Sequence, residues 1–72
     1  MRTWLKDLRN NRNMTQKDMA EQLGISEAYY ALIENGRRQK KMDVTILAGI
    51  AKATGMSVGR VALMEIAYLG IS

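Results

Sequence analysis

Seventy-two residues with 47% apolar content and neither cysteine nor histidine predict one small domain, residues 1–72, held together by apolar packing. That composition excludes disulfides, thiolate metal sites and histidine-based acid–base catalysis. The net charge is +4 and its excess lies in the first half, where residues 1–41 carry nine Lys/Arg against five Asp/Glu while residues 42–72 carry two of each. Four of the cations stand in "RRQKK", Arg37 to Lys41. Such a stretch is either a surface that attracts polyanions or a loop kept charged for solubility. The longest apolar runs, Val61–Met64 and Ile66–Ile71, are split by Glu65 and fall short of the ~20 residues of a membrane span. The charged start "MRTWLKDLRNN" lacks the apolar stretch of a signal peptide. A soluble, cytoplasmic protein with no membrane partner is expected.

In chain order, Trp4, Leu5 and Leu8 form an apolar stripe that predicts a helix over roughly Thr3 to Asn11. "NRNM" breaks the period. Thr15, with Asp18 three residues on, approximates a capping box for "QKDMAEQL", whose Met19, Ala20 and Leu23 point inward. Gly24 stops that helix in a left-handed conformation, and only Ile25 separates it from the next cap, Ser26. Two short helices joined so tightly must cross steeply, a helix-turn-helix over about residues 15–36. The third helix, Glu27 to Asn35, ends at Gly36. After a polar loop Asp43 caps "VTILAGIAKAT", where Val44, Leu47, Ile50 and Ala51 are expected to face the core. Gly55 closes this helix, and Ser57 caps a last one over about residues 57–69. The expected architecture is all-α, a compact five-helix bundle.

The stretch "MTQKDMAEQLGISEAYYALIENGRR" resembles the helix-turn-helix of the phage repressor and Cro type, the XRE-like regulators. Thr15, Gln16, Ala20, Leu23, Gly24, Ile25, Ser26, Glu34 and Gly36 carry the likeness, which extends through "ILAGIAKATGMSV". The resemblance implies a lambda-repressor-like DNA-binding fold, a bacterial or phage origin, and an architectural ion pair between Arg9 and Glu34. It implies double-stranded DNA as partner, with the third helix in the major groove. Two departures stand out: Met42 occupies a place where many relatives have proline, and Tyr30 an inward place where aliphatic residues are usual.

The base-contacting positions of that family correspond here to Glu27, Ala28 and Leu32, with support from Tyr29. Alanine and leucine offer no hydrogen bond, but they can touch a thymine methyl group, and Glu27 can accept from a cytosine amino group. Direct readout is expected to be sparse, with more left to DNA shape. Ser26, Gln16 with the N–H groups that open its helix, and Asn35, Arg37, Arg38, Lys40 and Lys41 are candidate backbone contacts. Bland readings stand beside these: Gln16 as a solvated helix-start residue, Tyr29 as packing, Glu27 as a first-turn acid. Leu32 belongs to the groove, to a protein contact, or to neither.

Val58, Val61 and Leu63 or Met64 are expected to close the core. The rest of the last helix stays apolar almost all round: Leu63, Met64, Ile66, Ala67, Tyr68, Leu69 and Ile71. Not every face of a helix can be buried in so small a domain, so a homodimer seam is expected, against the alternative that the helix caps its own monomer. Carboxylates such as Asp7, Asp18 and Glu21 are scattered with no base or nucleophile around them, so no enzymatic activity, cofactor, metal or small-molecule ligand is expected. The sequence reading is a dimeric DNA-binding transcriptional regulator, most simply a repressor. The alternative is the same fold used as a protein-interaction module, an antirepressor or partner-regulating protein, through Ala28, Tyr29 and Leu32.

Overall fold

Four of the five helices start where a short polar side chain caps the first turn. In the computed structural model, which describes residues 1–70, these helices are α1 (Thr3–Asn10), α2 (Gln16–Leu23), α3 (Glu27–Glu34), α4 (Val44–Thr54) and α5 (Val58–Leu69), with no strand among the described residues. Thr15 and Asp18 bond reciprocally, the Asp18 amide donating to Thr15 Oγ1 at 3.0 Å and the Thr15 amide to the Asp18 carboxylate at 2.9 Å. Ser26, Asp43 and Ser57 each accept from the amide three residues on, at 3.1, 2.9 and 3.2 Å. Each cap satisfies an otherwise orphaned helix-start donor. Helices α1 and α3 end one residue earlier than expected, because Asn11 and Asn35 serve as C-caps.

Helix α2 packs mainly against α3 and α4, and α5 against α4 and α1. The core takes Leu5 and Leu8 from α1, Met19 and Ala20 from α2, Tyr30 and Ile33 from α3, Ile46, Ile50 and Ala51 from α4, and Val61 from α5. Gly49 marks a close approach: a Cβ there would lie 2.5 Å from Leu23 Cδ2. Met42 joins the core and so anchors the loop before α4 by burial. Helices α4 and α5 bend at 120°, and no single described helix is long and apolar enough to cross a membrane.

Two expected core residues are corrected. Val44 is 75% exposed and Val58 49%. Both are the first residue of their helix, and helical side chains tilt toward the N-terminus, so these two project past the helix end. Ile46 takes the place assigned to Val44. It stands four residues before Ile50, and Ile50 and Ala51 are buried as expected while Leu47 packs against the core. Of Leu63 and Met64, Met64 packs on the core while Leu63 is 66% exposed.

The least expected core member is Arg2, which is fully buried. Its guanidinium donates twice to the Glu65 carboxylate, at 2.8 and 2.7 Å. It also donates to the main-chain oxygens of Ile33 at 2.7 Å, Arg38 at 3.1 Å, and Gln39. The Tyr68 ring centre lies 5.0 Å from the guanidinium carbon. One side chain therefore joins the N-terminus, the end of α3, the loop after it and α5. Glu65 lies four residues beyond buried Val61, on the same helical stripe. It interrupts the apolar run because it fills a core position whose partner comes from the other end of the chain.

Candidate nucleic-acid interface

The crossing of α2 and α3 is set by three residues. Gly24 adopts φ +70°, a conformation that costs other residues roughly 1–2 kcal/mol. There the Gly24 and Ile25 amides bond the carbonyls of Glu21 and Ala20, at 3.2 and 3.0 Å. These two bonds close the α2 terminus, and Ser26 opens α3 at once. Ala20 is buried beneath the crossing.

Helix α3 is then held from below by Glu34. Its carboxylate, on a residue only 2% exposed, receives Arg9 Nε and Nη2 at 3.0 Å each. The Tyr30 hydroxyl donates at 2.6 Å and Gln16 Nε2 at 3.3 Å. Tyr30 is thus inward because it spans the core and supplies a donor to a buried charge. Burial, helped by that bond, pushes its hydroxyl far above the ordinary 10.0. Burial alone would raise the Glu34 carboxyl, but the bonds from Arg9 and Tyr30 outweigh it and leave the group below its ordinary 4.5. A carboxylate with a lowered folded pKa stabilises the fold fully above its unfolded value, and that share is lost as pH falls through the lowered one. Acid titration of stability should show a decline beginning near pH 4.5 and continuing below it. Asp18 and Asp43, lowered by bonds from Thr15 and from Thr45 with Ile46, add to it. Glu34→Gln should flatten part of that decline in denaturant midpoints measured between pH 2 and 7, and an unchanged profile would refute the assignment.

Ser26, Glu27, Ala28 and Asn35 are exposed, while Tyr29 and Leu32 are half-buried on the flank of α3. Ser26 Oγ accepts from the Tyr29 amide, so its own proton points to another acceptor. Asn35 Oδ1 accepts from the Arg37 amide at 3.0 Å, which leaves its amino group outward. Gln16 is half-buried, with one amide N–H engaged by Glu34. It is tethered rather than freely solvated, and its second N–H lies at the start of α2.

The charge distribution is sharper than the sequence suggested. Arg2 and Arg9 are spent in buried ion pairs. Arg12 donates to the carbonyls of Thr54 and Leu8, at 2.9 and 3.2 Å. Of the remaining cations in the first half, Arg37, Arg38, Lys40 and Lys41 are all exposed and follow α3 directly. None has a carboxylate partner among the described residues. The loop that carries them is held by Arg2 and by Gln39, two residues the sequence reading passed over. For Arg2 the available signal was Glu65, an acid on a core stripe that required a cation. For Gln39 there was none, since its role depends on a loop closed from the far end of the chain.

A family model described as Helix-turn-helix matches residues 5–61. The chain belongs to the helix-turn-helix family, of the XRE-like phage repressor and Cro type. It is similar to YqaF of Bacillus subtilis strain 168, described as an uncharacterized HTH-type transcriptional regulator. The two are 42% identical over 45 residues, which cover 62% of this chain and 59% of that protein. The match thus spans less than two thirds of the relative's length. No solved structure matches.

Proposed function

We propose that the protein is a small dimeric transcriptional regulator of bacterial or phage origin, acting in the cytoplasm on double-stranded DNA with α3 in the major groove. The observation that carries this reading is the set of four exposed cations, without carboxylate partners among the described residues, that follow a helix whose outer side stays exposed at Glu27, Ala28 and Asn35. Phosphates on one side would meet Gln16, Ser26 and the opening N–H groups of α2; on the other, Asn35 and the 37–41 loop. Between them Ala28 and Leu32 offer thymine methyl contact and Glu27 an acceptor for cytosine. A regulator bound in this way represses by occupying its site. No cofactor or small ligand enters the scheme.

The two-fold symmetry of such an operator complex would come from α5. Only Val61 and Glu65 of this helix are buried, while Leu63, Ile66 and Tyr68 are 66, 39 and 37% exposed. A shallow pocket of about 320 Å³ opens beside them, bordered by Met1, Thr3, Trp4, Met64, Ala67 and Tyr68. Self-capping accounts for Met64 and the half-buried Leu69 but leaves Leu63, Ile66 and Ala67 in water, which supports the seam. Ile71, also assigned to it, lies outside the described residues. Leu63→Glu/Ile66→Glu is expected to convert a dimer to a folded monomer in sedimentation. Operator affinity should fall by on the order of 100-fold, because the second half-site loses its tether. A wild-type protein that is monomeric while fully bound to DNA would contradict the seam.

The paucity of hydrogen-bonding side chains at Ala28 and Leu32 keeps one other reading in play, a protein partner docked on Ala28, Tyr29 and Leu32. Capture of one stoichiometric partner that is lost on Leu32→Asp and kept on Arg37→Ala/Arg38→Ala would favour it. Binding to short duplexes at low salt, lost on the arginine substitutions, favours DNA.

A further inference from the structure

Gln39 connects the basic loop to the flank of α3. It sits in the left-handed region, φ +54°, with its carbonyl held by Arg2. Its side chain spans two groups. Oε1 accepts from the Asp43 amide at 3.0 Å, and Nε2 donates to the Tyr29 hydroxyl at 2.8 Å. A backbone N–H can only donate, so the carboxamide orientation is dictated: oxygen toward Asp43, amino group toward Tyr29. The Tyr29 oxygen is therefore an acceptor in this bond, and its proton has to go to another acceptor. Among the described residues none receives it. Tyr29 is half-buried on the same flank as Leu32 and is joined through Gln39 to the loop that carries the cations.

We propose that Gln39 is a positioning residue that makes Tyr29 a hydrogen-bond donor of the DNA-facing surface, directed at an acceptor oxygen or nitrogen of the duplex. The proposal rests on the DNA-binding reading and adds a polarity to it. Tyr29 seeks a phosphate oxygen or a base acceptor such as guanine N7 or thymine O4, which share that chemistry. Gln39→Glu supplies the discriminating perturbation. A carboxylate at this place accepts from the Asp43 amide and from the Tyr29 hydroxyl together, so the proton turns inward and is lost to the duplex.

The test is a double-mutant cycle of Tyr29→Phe and Gln39→Glu, read as affinity for a duplex that the wild-type protein binds, with melting temperature as the control for folding. Tyr29→Phe should weaken binding about 10-fold or more for a charged phosphate acceptor and about 5-fold for a neutral base edge. Gln39→Glu should weaken it at least as much in the wild-type background. In the Tyr29→Phe background it should cost only its added charge, so the two losses are less than additive. Selection of bound sequences by Tyr29→Phe separates the two acceptors: an unchanged motif with uniformly lower affinity assigns a phosphate, and relaxation at one position assigns a base edge. Binding within about 2-fold of wild type for Tyr29→Phe, or strictly additive losses, overturns the proposal while leaving DNA binding intact. A wild-type protein that binds no duplex overturns both.

Discussion

Replacing Arg2 by alanine is expected to cost about 3–5 kcal/mol, the range for breaking a buried ion pair by removing one partner. The residue is second in the chain, where truncation is usually harmless, but its burial is complete and its loss leaves the Glu65 carboxylate, 5% exposed, without a counter-ion. The carbonyls of Ile33, Arg38 and Gln39 lose a donor at the same time. Against a total stability of about 5–15 kcal/mol for a domain, that is a large share. Glu65→Ala should cost a similar amount. The double replacement Arg2→Met/Glu65→Leu should recover most of it, because apolar residues of similar volume often match or exceed a buried pair. Urea unfolding of the four proteins decides this. A loss below about 1 kcal/mol for Arg2→Ala would place it with solvated surface pairs and refute its burial.

Removing the four exposed cations after α3, as Arg37→Ala/Arg38→Ala/Lys40→Ala/Lys41→Ala, is expected to lower duplex affinity on the order of 1000-fold at 0.1 M salt. Each phosphate contact contributes about 0.9 to the slope of log affinity against log salt, so the slope itself should flatten by roughly 3.6. Stability should barely move, because none of these side chains is in an ion pair among the described residues. Equilibrium titration across a salt series measures both quantities. A slope unchanged within one unit would mean that the loop is solvated and does not face the duplex.

These two expectations differ in how far the sequence foretold them. Helix ends are local chemistry, so Thr15, Ser26, Asp43 and Ser57 could be recognised as caps from residues within three positions. The crossing of α2 and α3 was equally legible, since Gly24 and Ile25 leave no slack in the turn. The exposure of Ala28 and Asn35 followed from periodicity once Tyr30, Ile33 and Glu34 marked the inner side of α3, whereas Leu32 is half-buried on its flank. Periodicity failed at Val44 and Val58, where the helix has begun but its packed middle has not. It also could not supply pairings across the chain. Arg2 and Glu65 are 63 positions apart: Glu65 on a core stripe calls for a cation, but nothing near it says which one.

The consequence reaches the surface proposed to face DNA. "RRQKK" was visible as charge, whereas its shape depends on the Arg2 bonds to the Arg38 and Gln39 carbonyls. Gln39, the polar residue inside that basic run, reads as filler in sequence and bridges Tyr29 to Asp43 in the fold. A side chain whose partners are chosen by loop closure carries no signature of its own. The apolar surplus of α5 was legible as a surplus, and the structure sharpened it by placing Glu65, rather than another apolar residue, on the core stripe beside Val61.

Sequence-specific duplex binding through α3 is tested most directly by selection of bound sequences from random duplex DNA by the folded protein at low salt. A dimer with α3 in successive major grooves should enrich a symmetric motif with two inverted half-sites about 10–10.5 base pairs apart centre to centre, or a multiple of that spacing. Thymines should recur where Ala28 and Leu32 reach the groove. Recovery of a pool indistinguishable from the input, with protein that remains folded and bound to no duplex, would contradict it.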